Sequence, residues 1–138
     1  MNRDDFQLLS KMRVAEAKTL LDAGQYTGSR YLMGYAVECA LKACIAKSVK
    51  RHDFPPRDAA TFYVHKLEEL FVHAKLRTAF DRDKIVLPAL ATHWNTVKGW
   101  SEQLRYVTTA TTEVVARDYY KACVTAKTGV LTWIKKQW

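Results

Sequence analysis

No stretch of the 138 residues stays apolar for long enough to span a bilayer: the longest hydrophobic runs are interrupted by Glu38 and Lys42, or by threonine and lysine. The opening segment MNRDDFQLLSK has no apolar signal core, which predicts a cytoplasmic protein with no membrane partner. Cysteine is scarce. Cys39, Cys44 and Cys123 are an odd number with no C-x-x-C pair. The first two fall about 140° apart around a helix, a poor arrangement for sharing a metal. They are expected as buried, reduced thiols, and no metal or cofactor is expected. Internal repeats and low-complexity segments are missing, and strand signals are weak throughout.

What remains is the composition of an ordinary globular chain, 49% hydrophobic and 26% charged. Its length fits a single domain over residues 1–138, able to bury a core without a disulfide or metal. Twenty-two Lys plus Arg against 14 Asp plus Glu leave a net charge of +8. An excess of that size favours anionic partners, nucleic acid first among them.

Apolar residues recur at helical intervals. Phe6, Leu9, Val14, Ala17, Leu20 and Leu21 predict a first helix over about 4–23, stopped by Gly24. Thr27 is placed to cap a second helix over about 28–49. Its glycine, serine and alanine residues allow close helix approach, and it is apolar nearly all round, which predicts a central or interface position. The segment KRHDFPPRDAATFY, with Pro55 and Pro56, is the longest connection and a candidate functional loop. Further helices are expected over about 65–79, from 84–88 to 99 with Pro88 in the first turn, and over about 112–136. Residues 101–112 read as a loop or ragged helix end. The prediction is an all-α, antiparallel, up-and-down bundle of four to five helices.

Polar residues inside apolar surroundings supply the candidate site. Glu38 and Lys42 stand four apart in YLMGYAVECALKACIAK, acid first, as neighbours on one helix face. They form either a structural latch or part of a polar site, and if buried they need a further hydrogen bond, for which Tyr35 and Tyr31 are candidates. His65, Glu69 and His73 recur every four residues and make either a proton- or metal-handling strip or a solvated face. Arg105 and Tyr106 suit phosphate and base contact; the alternative ties Arg105 to an acid and puts Tyr106 in the core. Trp94, Trp100 and Trp133 read as core or interface anchors, and Trp138 as a mobile end. Lys47, Lys50, Arg51, Arg57, Arg77, Arg82 and Lys84 border two middle loops, and loops meeting at one end would make an anion-attracting rim.

Several segments together resemble a known family. LLDAGQYTGSRYLMGYAVECALKACIAK is similar to the first two helices of HEPN domains, with Glu38, Leu41 and Lys42 at an E-x-x-L-K signature. HKLEEL resembles that family's H-x-L-x-x-L helix start through His65, Leu67 and Leu70, and WSEQLRY its W-x-x-x-x-R-Y element through Trp100, Arg105 and Tyr106. AKTGVLTWIKK is similar to the closing helix, so the resemblance spans about residues 7–136. It implies a helical bundle that forms homodimers and is linked to RNA or nucleotides. Members act as metal-independent endoribonucleases or toxins, as non-catalytic RNA binders, or as partners of a nucleotidyltransferase. The catalytic branch carries Arg-x4–6-His. No arginine stands five to seven positions before His52, His65, His73 or His93, and Arg57 lies eight before His65. The expectation is therefore a non-catalytic module with Tyr35, Glu38, Lys42, His65, Arg105 and Tyr106 as ligand-binding residues. Alternatives are a divergent ribonuclease using Arg57 and His65, and a structural or antitoxin-like dimer without nucleic-acid contact.

Overall fold

Asn2 starts the first helix: its side chain accepts from the Asp5 backbone N–H at 3.0 Å while Asp5 accepts from the Asn2 N–H at 2.9 Å. This reciprocal cap satisfies two otherwise unpaired donors. The helix, α1 (Arg3–Asp22), ends at a turn in which Gly24 takes φ +76°, a left-handed conformation that costs glycine little. These positions belong to a computed structural model that describes residues 1–47 and 64–138. Among the described residues there are helices and no strand.

α2 (Tyr26–Ala46) packs back along α1. Buried Ser10 on α1 donates to the Ala36 carbonyl, and buried Ser29 on α2 donates to the Ala17 carbonyl, both at 2.8 Å. The two contacts run in opposite order along the two helices, which are therefore antiparallel. Hydroxyls paired with carbonyls at these points satisfy both buried serine side chains. Every residue from Ala36 to Ala46 is buried, because α2 is also covered by later helices. The central position expected for this helix is what the fold uses. Gln25, not Thr27, precedes its first turn. The Thr27 hydroxyl instead accepts from the Thr111 backbone N–H at 2.9 Å and ties down the loop before the later helices.

The rest of the bundle consists of shorter pieces: α3 (Leu67–His73), α4 (Arg77–Val86), α5 (Pro88–Val97), a 3-10 helix (Glu102–Tyr106), α6 (Glu113–Val124) and α7 (Val130–Ile134). The seven α-helices among the described residues exceed the four to five expected, because two predicted helices are interrupted. Lys75 takes φ +57° and breaks the predicted 65–79 helix. The chain restarts as α4 and brings Phe80 to 5.3 Å from Phe71 and 5.7 Å from Trp133, ring centre to ring centre. Lys127, at φ +65°, breaks the predicted last helix in the same way; Val115 and Ala126, whose spacing with Tyr119, Ala122, Val130, Trp133 and Ile134 predicts an inward face, are exposed. Pro88 occupies the first turn of α5, where its missing N–H costs nothing. Thr112 caps α6, with Glu113 in its first turn.

Trp94, Trp100 and Trp133 are buried. Trp138 is not a projecting end: it packs partly buried beside the cluster of Phe6, Cys39 and Ala43. The three cysteines are free and buried. Burial pushes the Cys39 and Cys44 thiols up to about 12, so they behave as small apolar groups. No helix among the described residues is long and apolar enough to cross a membrane.

Candidate functional site

Tyr31, Tyr35, Glu38 and Lys42 follow one another along α2 at four-, three- and four-residue steps, the spacing of a single helical face. The segment after α5 folds over that face. Gly34 makes this approach feasible: a Cβ there would stand 2.0 Å from Trp100 Cδ1. The Trp100 indole lies on the bare backbone, donates from Nε1 to the Tyr31 carbonyl at 3.1 Å, and sits 5.9 Å from the Tyr31 ring. Ser101 then accepts from the Gln103 backbone N–H at 3.1 Å and starts the 3-10 helix that presents Glu102 and Arg105.

A cleft of about 230 Å³ results. Its walls are the aromatic rings of Tyr31, Tyr35 and Trp100; Glu38 and His65 come from α2 and from just before α3, and Glu102 and Arg105 from the 3-10 helix. Glu38 is the buried centre, 2% exposed. Its Oε1 accepts from Lys42 Nζ at 2.7 Å and lies 2.8 Å from His65 Nδ1. The further hydrogen bond this pair needs thus comes from His65, twenty-seven residues away, rather than from Tyr31 or Tyr35. Glu38 Oε2 is buried with no hydrogen-bond partner among the described residues.

A carboxylate accepts, so the His65 proton sits on Nδ1, and in the neutral ring Nε2 keeps a lone pair. The His65 side chain is about half exposed, at 51%. Burial raises the Tyr35 hydroxyl above the usual phenol range, with Cys39 and Glu38 adding to the effect. Glu102 is held below the usual carboxylate range, first by its own backbone N–H, then by Gln103 and the nearby His65. Tyr106 and a hydrogen bond with Tyr31 raise Arg105 further and keep it a permanent cation. Arg105 also stacks over the Tyr106 ring, 5.0 Å from its centre.

Of the residues expected to bind a ligand, Tyr35, Glu38, His65 and Arg105 line this cleft. Lys42 supports Glu38 from the side, and Tyr106 stands beside the mouth, 69% exposed. Tyr106 is therefore not a core residue, and Arg105 is not tied to an acid by any ion pair among the described residues. Tyr31 joins as a wall and through its hydrogen bond to Arg105. Trp100 and Glu102 were not anticipated as site residues. The usable signal for Glu102 was its i,i+3 spacing to Arg105 behind a serine cap. Arg57, Lys50, Arg51 and the proline loop lie outside the described residues.

The His65–Glu69–His73 strip does not form, because His65 precedes α3 and turns to Glu38 while Glu69 faces Lys66 at 3.5 Å. Among the described residues no cluster of three or more His, Cys, Asp or Glu is arranged for a metal ion. The expected basic rim is partly neutralised: Arg77 and Lys84 meet Asp81, and Arg82 meets Asp83, while Lys47 keeps its charge and donates to the Gln137 carbonyl at 2.9 Å. Among the described residues, Arg105 is the arginine or lysine that lines the cleft itself. No protein-family model, curated protein or solved structure matches this chain.

Proposed function

We propose that the protein is a HEPN-like, cytoplasmic, homodimeric module that binds RNA or a nucleotide through the cleft between α2 and the 3-10 helix, without intrinsic ribonuclease activity. Docking onto a nucleotidyltransferase partner, as in toxin–antitoxin or defence-type systems, is compatible with the same cleft. One observation carries the reading: Arg105 and the exposed Tyr106 form a cation-and-ring pair at the mouth of a cleft walled by three further aromatic rings. Guanidinium groups hold phosphate oxygens in pairs, and aromatic rings stack on unpaired bases. The net charge of +8 acts in the same direction.

The test is binding of a short single-stranded RNA of mixed sequence, followed by fluorescence anisotropy at several salt concentrations. Phosphate contacts release counterions, so affinity falls steeply with salt. Arg105→Ala is expected to weaken binding and to lower the salt slope by about 1. Absence of salt-dependent binding would favour the structural or antitoxin-like dimer.

A second reading rests on the Glu38–His65 contact. A carboxylate that fixes one imidazole nitrogen orients the other for proton exchange with a bound ligand, and Arg105 lies in the same cleft. This arrangement supports a divergent metal-independent ribonuclease using His65, with Arg57 outside the described residues. RNA cleavage in the presence of a chelator, abolished by His65→Ala, would establish it over the non-catalytic module.

A further inference from the structure

The outer face of α1 carries the wrong residues for a surface that meets water. Its inner side is formed by Phe6, Ser10, Ala17 and Leu21. Opposite them Leu8 is 58% exposed and Met12 43% exposed, and exposed Ala15 and Thr19 continue the row. Steps of four, three and four residues give the 3.5-residue period of a coiled-coil seam, with Leu8 and Ala15 at d and Met12 and Thr19 at a. A solvated helix face is charged or polar instead. Beside the seam, Glu16, Thr19 and Leu20 of α1 and Leu32 of α2 line an open, largely apolar groove of about 360 Å³.

We infer that this face is covered by α1 of a second copy of the chain, parallel and in register about a two-fold axis. The inference rests on the homodimer reading above and adds the surface and the orientation.

Charge selects both the occupant and its direction. Lys11 flanks the seam at g and Glu16 at e, the positions that meet between parallel helices. A parallel pair therefore sets Lys11 against Glu16 of the partner subunit, once on each side of the axis. The ion pairs within α1 join Arg13 to Glu16 and Lys18 to Asp22, and no acid stands three or four residues from Lys11. Its neighbour is instead a like charge: burial lowers the Lys135 ammonium below its usual range, and Lys11 lowers it further. A carboxylate arriving from a second copy relieves that crowding. The groove beside Glu16 takes the methylene stem of the incoming lysine while its head stays on the carboxylate, which has acceptor sites left beyond Arg13.

Antiparallel packing lacks this match, because it brings g positions against g positions. Two antiparallel registers cover both Leu8 and Met12. Setting Leu8 against Thr19 places Lys11 beside Lys18 of the partner subunit, and setting Leu8 against Met12 places Lys11 beside its own copy. The seam is also short, since Asp5 and Asp22 hold the next a and d positions and would face their own copies. Two heptads remain, so the dimer is expected to be reversible and concentration-dependent.

The experiment is sedimentation velocity of the full chain over a concentration series reaching its solubility limit. A reversible monomer–dimer equilibrium is expected. Met12→Glu is expected to leave only monomer, with circular dichroism unchanged because the side chain is exposed; should the spectrum change, Leu8→Glu takes its place. Lys11→Glu and Glu16→Lys are each expected to raise the dissociation constant by about tenfold, and the double exchange to return it toward the wild-type value. Ala15→Cys tests direction. With oxidised glutathione taking up the two thiol hydrogens, a parallel dimer joins its two new thiols, whereas either antiparallel register holds them beyond the reach of a disulfide. The native cysteines are buried, and the wild-type chain is the unlinked control. A chain that stays monomeric throughout overturns the interface and the homodimer reading together. A dimer that persists in Met12→Glu overturns the interface and leaves the homodimer reading standing. Failure of the double exchange to restore association, or of Ala15→Cys to link, overturns the parallel orientation.

Discussion

Two lysine–carboxylate pairs in this protein share a spacing and almost a length. Lys18 and Asp22 on α1 meet at 2.6 Å, and Lys42 and Glu38 on α2 at 2.7 Å, each four residues apart. Their surroundings differ. The α1 side chains are 49% and 56% exposed, those on α2 11% and 2%. Water screens the first pair, and its net value is small. The second pair has lost its water, and its survival depends on mutual attraction plus the His65 contact. The same four-residue spacing, with acid and base in opposite order, therefore has a local meaning on α1 and a site-forming meaning on α2. What separates them is how much of the chain is packed over each helix.

The largest break in this comparison comes from removing one buried partner. Lys42→Met leaves Glu38 without its cation and is expected to lose about 3–5 kcal/mol of stability in urea unfolding at neutral pH. The double replacement Glu38→Met with Lys42→Met should recover most of that loss, since no unpaired charge remains. A double variant as unstable as the single one would show that the pair contributes shape rather than charge.

A smaller effect is expected from Gly34→Ala, whose Cβ has no room beneath Trp100. Overpacking of this kind costs about 1–3 kcal/mol. Moving the indole off α2 should also red-shift its fluorescence and open the cleft around Glu38. Unchanged emission and stability would mean that Trp100 does not depend on the bare backbone. The smallest effect belongs to the exposed pair: Lys18→Ala should change stability by less than about 1 kcal/mol, and by less still in high salt.

The same contrast explains what could be read from sequence. α1 and most of α2 were legible to within two or three residues, because long amphipathic or small-residue patterns bounded by Gly24 have few alternatives. The Pro88 start of α5 was legible for a similar local reason. The breaks at Lys75 and Lys127 were not, since lysine has no special tolerance for positive φ. They are imposed by packing, in the first case by the aromatic cluster of Phe71, Phe80, Trp94 and Trp133. The candidate site shows the same division. Glu38 with Lys42, and Arg105 with Tyr106, stand out by spacing or adjacency. The contact between Glu38 and His65 crosses twenty-seven residues, and no periodicity rule reaches that far. Trp100 read as an anchor and proved to be both anchor and wall, because the pairing of a bare glycine with an indole is visible only once α2 and the 97–102 segment are placed together.

The most direct test is histidine-selective NMR during titration with a short single-stranded RNA. His65 lines the cleft, whereas His93 is held elsewhere by a 2.8 Å contact from Nδ1 to the Thr128 carbonyl and acts as an internal control. The predicted result is a saturable shift of the His65 ring resonances with His93 unmoved. RNA binding that leaves His65 unchanged, or no binding at all, would contradict the placement of the ligand site between α2 and the 3-10 helix.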